Sequence, residues 1–139
     1  MKQSAILTSA SVASVLFFTL HLTDDIVRGF EKGVLWNLIA VPVLVIWLYG
    51  ALVLAGRLSG YVIILLGSLL GLLAPLLHFM GKGVGGELAR SNGGFLFVWT
   101  LLALAVTSLL SLLLCLQGLW KQSWRQSQRN AQTGVRANY

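Results

Sequence analysis

Four long apolar segments alternate with short polar connections along this chain of 139 residues. The segments cover about residues 5–22, 34–55, 59–79 and 93–119, and none of them contains Asp, Glu, Lys or Arg. A membrane-spanning helix needs about 20 mainly apolar residues, and short connections favour antiparallel neighbours. The pattern therefore predicts an all-α integral membrane protein in which residues 1–120 form an up-down four-helix transmembrane bundle.

Composition supports a lipid-embedded chain rather than a soluble domain. Hydrophobic residues make up 57% of the chain and charged residues 10%, whereas soluble domains carry about 25% charged residues. A soluble fold of this size buries too small a fraction of its surface to hide so much apolar area. We interpret the first segment as a span and not as a secretory signal, because no small-x-small cleavage pattern stands directly before the polar turn expected at Thr23.

Basic residues predict the orientation of the bundle. An N-terminus on the cytoplasmic side puts six basic residues and no acids inside, while four basic residues and all four acids lie outside. Because cytoplasmic loops carry an excess of Lys and Arg, we expect both termini in the cytoplasm and a basic polar tail over residues 121–139. The inner basic residues are Lys2, Arg57, Lys121, Arg125, Arg129 and Arg136.

The net charge of +6 points to anionic cytoplasmic lipids as partners, since basic residues beside a membrane are attracted to them. In the tail, Lys121, Arg125 and Arg129 recur at every fourth position, so a helix would gather them into one basic stripe beside Trp120 and Trp124. Nucleic acid is not an expected partner, because the basic residues flank the spans and no zinc-finger or RNA-recognition pattern is present.

Small residues and prolines shape the predicted packing. Gly67 and Gly71 form a Gly-x-x-x-Gly pair, which lets helix backbones approach closely, either within the chain or between the copies of a homo-oligomer. The connection at residues 56–59 is so short that spans two and three should form a tight antiparallel hairpin. Pro42 and Pro75 fall inside these two spans, where each predicts a bend.

The two histidines are the residues best suited to bind a ligand. At about 1.5 Å per residue, His21 and His78 reach the outer boundary of the membrane at a similar depth. Asp24 lies three residues after His21 and shares its helix face, and Glu87 lies in the loop after His78. This set predicts a site for a divalent metal such as zinc or for proton relay, or else ordinary interfacial polar residues. Two histidines at one level are also able to hold a haem.

Catalytic motifs are absent from the sequence. There is no His-Glu-x-x-His, no Gly-x-Ser-x-Gly and no phosphate-binding glycine loop, and the single Cys115 excludes an intrachain disulfide. We therefore expect no enzyme but a small structural or accessory membrane protein that packs against itself or a larger membrane complex. The alternatives are a transporter or channel for a small ligand, and a metal- or haem-binding membrane protein that uses His21 and His78.

The general layout resembles small four-helix bacterial membrane proteins. The resemblance rests on the number and spacing of the spans and on no diagnostic motif. It implies a location in the bacterial cytoplasmic membrane and no particular activity.

Overall fold

All regular secondary structure in the described part of the chain is helical, as predicted. The structure, a computed structural model, describes the backbone of residues 2–29, 35–80 and 93–136 and the side chains of residues 4–29, 37–80 and 93–128. Within these ranges the elements are α1 (Lys2–Val27), a 3₁₀ helix (Leu35–Ile39), α2 (Ala40–Leu52), α3 (Leu58–Met80) and α4 (Gly94–Arg136).

Three helices in these ranges are long and apolar enough to cross a membrane, namely Ser4–Val27, Leu58–Met80 and Gly94–Gln128. They indicate an integral membrane protein. The second predicted span is shorter than expected, because the regular helix α2 covers only 13 residues and follows the 3₁₀ helix. Pro42 gives the reason: proline has no amide hydrogen and is tolerated in the first turn of a helix, so it lies near the start of α2 instead of bending a longer span.

The other helix limits test the predicted boundaries directly. α3 agrees with the predicted span 59–79 to within one residue at each end. α1 continues to Val27, so the expected turn at Thr23 is wrong, and the Thr23 hydroxyl donates to the carbonyl oxygen of Thr19 at 2.7 Å inside the helix. α4 runs past the predicted end at 119 to Arg136, so tail residues 121–136 extend the last helix.

Consecutive helices pack side by side, and α4 returns to pack extensively on both α1 and α3. In the α2–α3 pair, Gly50 faces Ile63 and Trp47 faces Gly67, so residue numbers rise along one helix as they fall along the other. This confirms the predicted antiparallel hairpin. α1 and α3 meet across the diagonal of the bundle.

The Gly-x-x-x-Gly pair packs within the chain. The indole ring of Trp47 lies directly over Gly67, and the Ser108 side chain lies over Gly71, so neither glycine has room for a side chain. Trp47 is 1% exposed, and its indole N–H donates to Ser11 Oγ at 2.8 Å, which links α2 to α1. The small residues therefore serve contacts between helices of one copy, as expected for close packing in lipid.

Hydroxyl groups also join helices in the interior. Ser68 of α3 donates to Ser111 of α4 at 3.0 Å, and Thr8 of α1 donates to the carbonyl oxygen of Ala51 at 3.1 Å. Ser108, one turn before Ser111, is fully buried and has no hydrogen-bond partner within the described residues. The interior is thus held by polar as well as apolar contacts.

Candidate metal site

α1 and α3 finish at the same end of the bundle, where α4 begins, and we call this the histidine end; the opposite end is the tail end. α1 carries His21 and Asp25 one turn apart, so that both side chains project from the same face. α3 carries His78 in its last turn. The three side chains converge across the bundle diagonal and form what we call the His–Asp–His cluster.

Nitrogen and oxygen atoms of the cluster lie close enough to share one ion. The Nε2 atoms of His21 and His78 lie 3.5 Å and 3.6 Å from Oδ2 of Asp25. One ligand atom from each residue lies within 4.8 Å of the other two. A tetrahedral zinc site with bonds of about 2.0–2.1 Å places its ligand atoms about 3.3–3.4 Å apart. The two nitrogen-to-oxygen separations are therefore near those of a metal-bound set.

A backbone carbonyl determines the role of each ring nitrogen of His78. Its Nδ1 lies 2.8 Å from the carbonyl oxygen of Ala74, and because a carbonyl only accepts hydrogen bonds, Nδ1 carries the proton and donates. In a neutral imidazole Nε2 then carries the lone pair, and this is the atom that faces Asp25. Metal-binding histidines commonly donate their second ring N–H to a carbonyl in this way.

The burial of the cluster favours a cation between its atoms. His21 and Asp25 are 3% and 5% exposed. Neither ring nitrogen of His21 makes a hydrogen bond within the described residues. Electron-rich atoms that converge away from water are costly unless a positive charge lies among them. A proton or a divalent cation supplies that charge, so the arrangement suits either of the two chemistries predicted for the histidines.

Phe97 of α4 covers the cluster from the side. Its ring centroid lies 5.1 Å from that of His21 and 5.4 Å from that of His78, and Phe97 is fully buried. The two imidazoles contact each other edge to face, with centroids 4.9 Å apart. A haem held by two axial histidines lies between them, and this contact leaves no gap for a macrocycle. The arrangement of the two rings therefore does not fit a haem between them.

Asp24 does not join the histidines as the sequence led us to expect. Its Oδ2 accepts a hydrogen bond from Nε of Arg28 at 2.8 Å, and Arg28 also donates through Nη2 to the carbonyl oxygen of Gly93 at 2.8 Å. These contacts tie the end of α1 to the start of α4. The reason is that α1 stays helical to Val27, which brings Asp25 and not Asp24 to the face of His21.

Asp25 is the site residue that the sequence analysis missed. The signal was present, because residues four apart on a helix are neighbours, but the turn expected at Thr23 placed Asp25 outside the helix. Glu87, the fourth predicted ligand, lies outside the described residues.

We compared the chain with protein-family models, with curated proteins and with solved structures, and none of the three comparisons found a match.

Proposed function

We propose that this protein is an integral membrane protein that binds a divalent transition-metal ion of the zinc type in the His–Asp–His cluster. One observation carries the proposal: two imidazoles and a carboxylate offer ligand atoms within 4.8 Å of one another at a largely buried point. Nitrogen and carboxylate ligands suit zinc. Three protein ligands leave the fourth tetrahedral position to water or to a substrate.

A fourth span formed by α2 and its 3₁₀ helix is part of the proposal. Five 3₁₀ residues at about 2.0 Å each and 13 α-helical residues at about 1.5 Å each reach roughly 30 Å. That length equals the thickness of a hydrocarbon core of about 30 Å. The antiparallel packing of α2 on α3 supports the same conclusion, because α3 is itself long enough to cross.

Exposed tryptophans on α4 indicate where the membrane lies along the bundle. Trp99 and Trp120 are 57% and 75% exposed, and their separation along the helix corresponds to about 32 Å at 1.5 Å per residue. Tryptophan is enriched at membrane–water interfaces, so we assign one interface to each residue. Phe97, and with it the His–Asp–His cluster, then lies about 3 Å beyond Trp99, where an ion from the water is able to reach the ligands.

We further propose that the histidine end faces outward and both termini lie in the cytoplasm. Asp24 and Asp25 lie at the histidine end, whereas Arg57, Lys121 and Arg125 lie at the tail end. This arrangement agrees with the excess of Lys and Arg on the cytoplasmic side of membrane proteins. In a bacterial cell the protein would then sit in the cytoplasmic membrane with its metal site on the outer surface.

An accessory role in a larger membrane complex is the second candidate, and a cleft between α2 and α3 favours it. The cleft has a volume of about 240 Å³ and is lined by apolar residues, among them Val43, Ile63 and Leu66. An apolar helix of another membrane protein would fill it. A photoreactive residue in place of Leu66, which lines the cleft, should then crosslink to a protein in native membranes, and crosslinking to lipid alone would exclude this role.

Zinc binding by the purified protein tests the metal proposal. After treatment with a chelator, titration calorimetry and elemental analysis in detergent micelles should give one zinc ion per chain. Asp25→Asn should weaken binding by more than the roughly 10–100-fold that loss of an outer-shell partner costs, because it removes a ligand.

Asp24→Asn is the matched control for this experiment. It removes the same charge from the adjacent residue, which is paired with Arg28 and not with the histidines. We expect this variant to bind zinc as the unaltered protein does. Equal losses in the two variants, or an unaltered protein that retains no zinc, would show that the His–Asp–His cluster is not a metal site.

A further inference from the structure

The tail end of the bundle brings basic residues of two separate segments together. Gln122 of α4 donates to the carbonyl oxygen of Gly56 at 3.1 Å, which holds α4 against the connection between α2 and α3. Lys121 directly precedes Gln122 in the chain, and Arg57 directly follows Gly56. Both basic side chains are exposed. The hydrogen bond therefore places two basic positions that are distant in sequence at the same end of the bundle.

α4 adds a third cation and two indole rings to this end. Arg125 is exposed and follows Lys121 by one turn on the same helix face. Trp120 and Trp124, which are 75% and 62% exposed, lie one turn apart on the adjoining face. Indole rings settle at the level of lipid headgroups, so the cations beside them are held at the same level.

We propose that Arg57, Lys121 and Arg125 bind the phosphate of an anionic phospholipid such as phosphatidylglycerol. Arg and Lys donors form their strongest hydrogen bonds with charged oxygen acceptors such as phosphate. Both acids among the described residues lie at the histidine end, at the opposite end of the bundle from these cations. The inference is independent of the metal site, which lies at the other end of the bundle.

The position of these cations relative to the membrane surface favours a lipid over a soluble partner. Lys121 and Arg125 lie about 1.5 Å and 7.5 Å beyond Trp120 along α4, inside a headgroup layer about 5–8 Å thick on each side. Backbone positions 129 and 136 lie about 14 Å and 24 Å beyond Trp120, outside that headgroup layer. The proposed lipid site thus includes Lys121 and Arg125 but not Arg129, although the sequence suggested one stripe of all three.

Native mass spectrometry of the full chain in micelles tests the proposal with phosphatidylglycerol and phosphatidylcholine as probes. We expect preferential binding of phosphatidylglycerol. A basic residue near an anionic surface contributes roughly fivefold in affinity, the equivalent of about 1 kcal/mol. The triple variant Arg57→Gln, Lys121→Gln, Arg125→Gln should therefore bind phosphatidylglycerol roughly 100-fold more weakly.

The double variant Arg129→Gln, Arg136→Gln is the matched control, because it also removes basic residues from α4 but at positions beyond the headgroup layer. It should bind phosphatidylglycerol within about twofold of the unaltered protein, because these positions lie outside the layer that holds the lipid phosphate. If the triple variant fails to fold, Lys121→Gln alone should still show a roughly fivefold loss.

Three outcomes would overturn the proposal. The first is equal binding of the two lipids. The second is an equal loss in the triple and the double variants. The third is displacement of the lipid by inorganic phosphate at millimolar concentration, which would reveal a site for a soluble anion instead.

Discussion

The imidazoles of His21 and His78 meet edge to face across the diagonal of the bundle, with ring centroids 4.9 Å apart. Their helices, α1 and α3, pack on each other less than any other pair of α-helices in contact within the described residues. The two histidines therefore form one of the few contacts between α1 and α3. An ion bound there would join two helices that otherwise depend on their neighbours.

Zinc should stabilise the fold for this reason. A ligand that binds only the folded state at 100 times its dissociation constant adds about 2.7 kcal/mol to the free energy of unfolding. We expect a higher midpoint of thermal unfolding in micelles with zinc than with chelator. The increase should vanish in Asp25→Asn and persist in Asp24→Asn. A zinc-dependent increase that survives Asp25→Asn would place the ion elsewhere.

Ser108 and Ser111 should respond to alanine in opposite directions. Both are fully buried on α4, but Ser111 accepts a hydrogen bond from Ser68 whereas the Ser108 hydroxyl has no partner among the described residues. Ser111→Ala should lower the free energy of unfolding by about 0.6–1.5 kcal/mol. Ser108→Ala removes a buried unsatisfied group and should leave stability equal or raise it by up to about 1 kcal/mol. Reversible unfolding in mixed micelles measures both, and a loss for Ser108→Ala like that for Ser111→Ala would contradict the prediction.

Gly67→Ala should disturb the contact between α2 and α3. A Cβ at this position has no space beside the indole of Trp47, and overpacking of an interior costs about 1–3 kcal/mol. The displaced ring should also lose its hydrogen bond to Ser11. We expect a lower midpoint of thermal unfolding together with a changed near-ultraviolet circular dichroism signal. Leu69→Ala, a change on the exposed side of the same helix, is the control and should leave that signal unchanged.

Cysteine labelling should place the two ends of the bundle on opposite sides of the membrane. Single cysteines are introduced at Gly85 or at Gln132 in a Cys115→Ala background. The cysteine at position 85 should react with a membrane-impermeant reagent in intact cells. The cysteine at position 132 should react only after the membrane is permeabilised. The physical reason is the excess of basic residues that we assign to the cytoplasm. Labelling of both positions from one side would be incompatible with four spans and two cytoplasmic termini.

Residues 58–80 illustrate what local patterns predict well. The apolar run of α3 is bounded by polar or turn-forming residues, and its observed limits, Leu58–Met80, differ from the predicted 59–79 by one residue at each end. The α2–α3 hairpin could also be predicted from the sequence, because its short connection permits only an antiparallel course. At α1 and α2 the same reasoning failed, since polar Thr23 stays inside a helix and Pro42 lies near the start of one.

The sequence by itself determined that the chain is helical and apolar enough for a membrane, and that all four acids lie in the first and third connections. These are properties of composition and of spacing along the chain, so they are read without knowing which helices touch. Only the tertiary structure decided that Asp25 joins His21 and His78, that Phe97 covers them, and that Gln122 contacts Gly56. Each of these contacts depends on the rotation and relative level of helices distant in sequence, which packing of the whole bundle determines and no local pattern records.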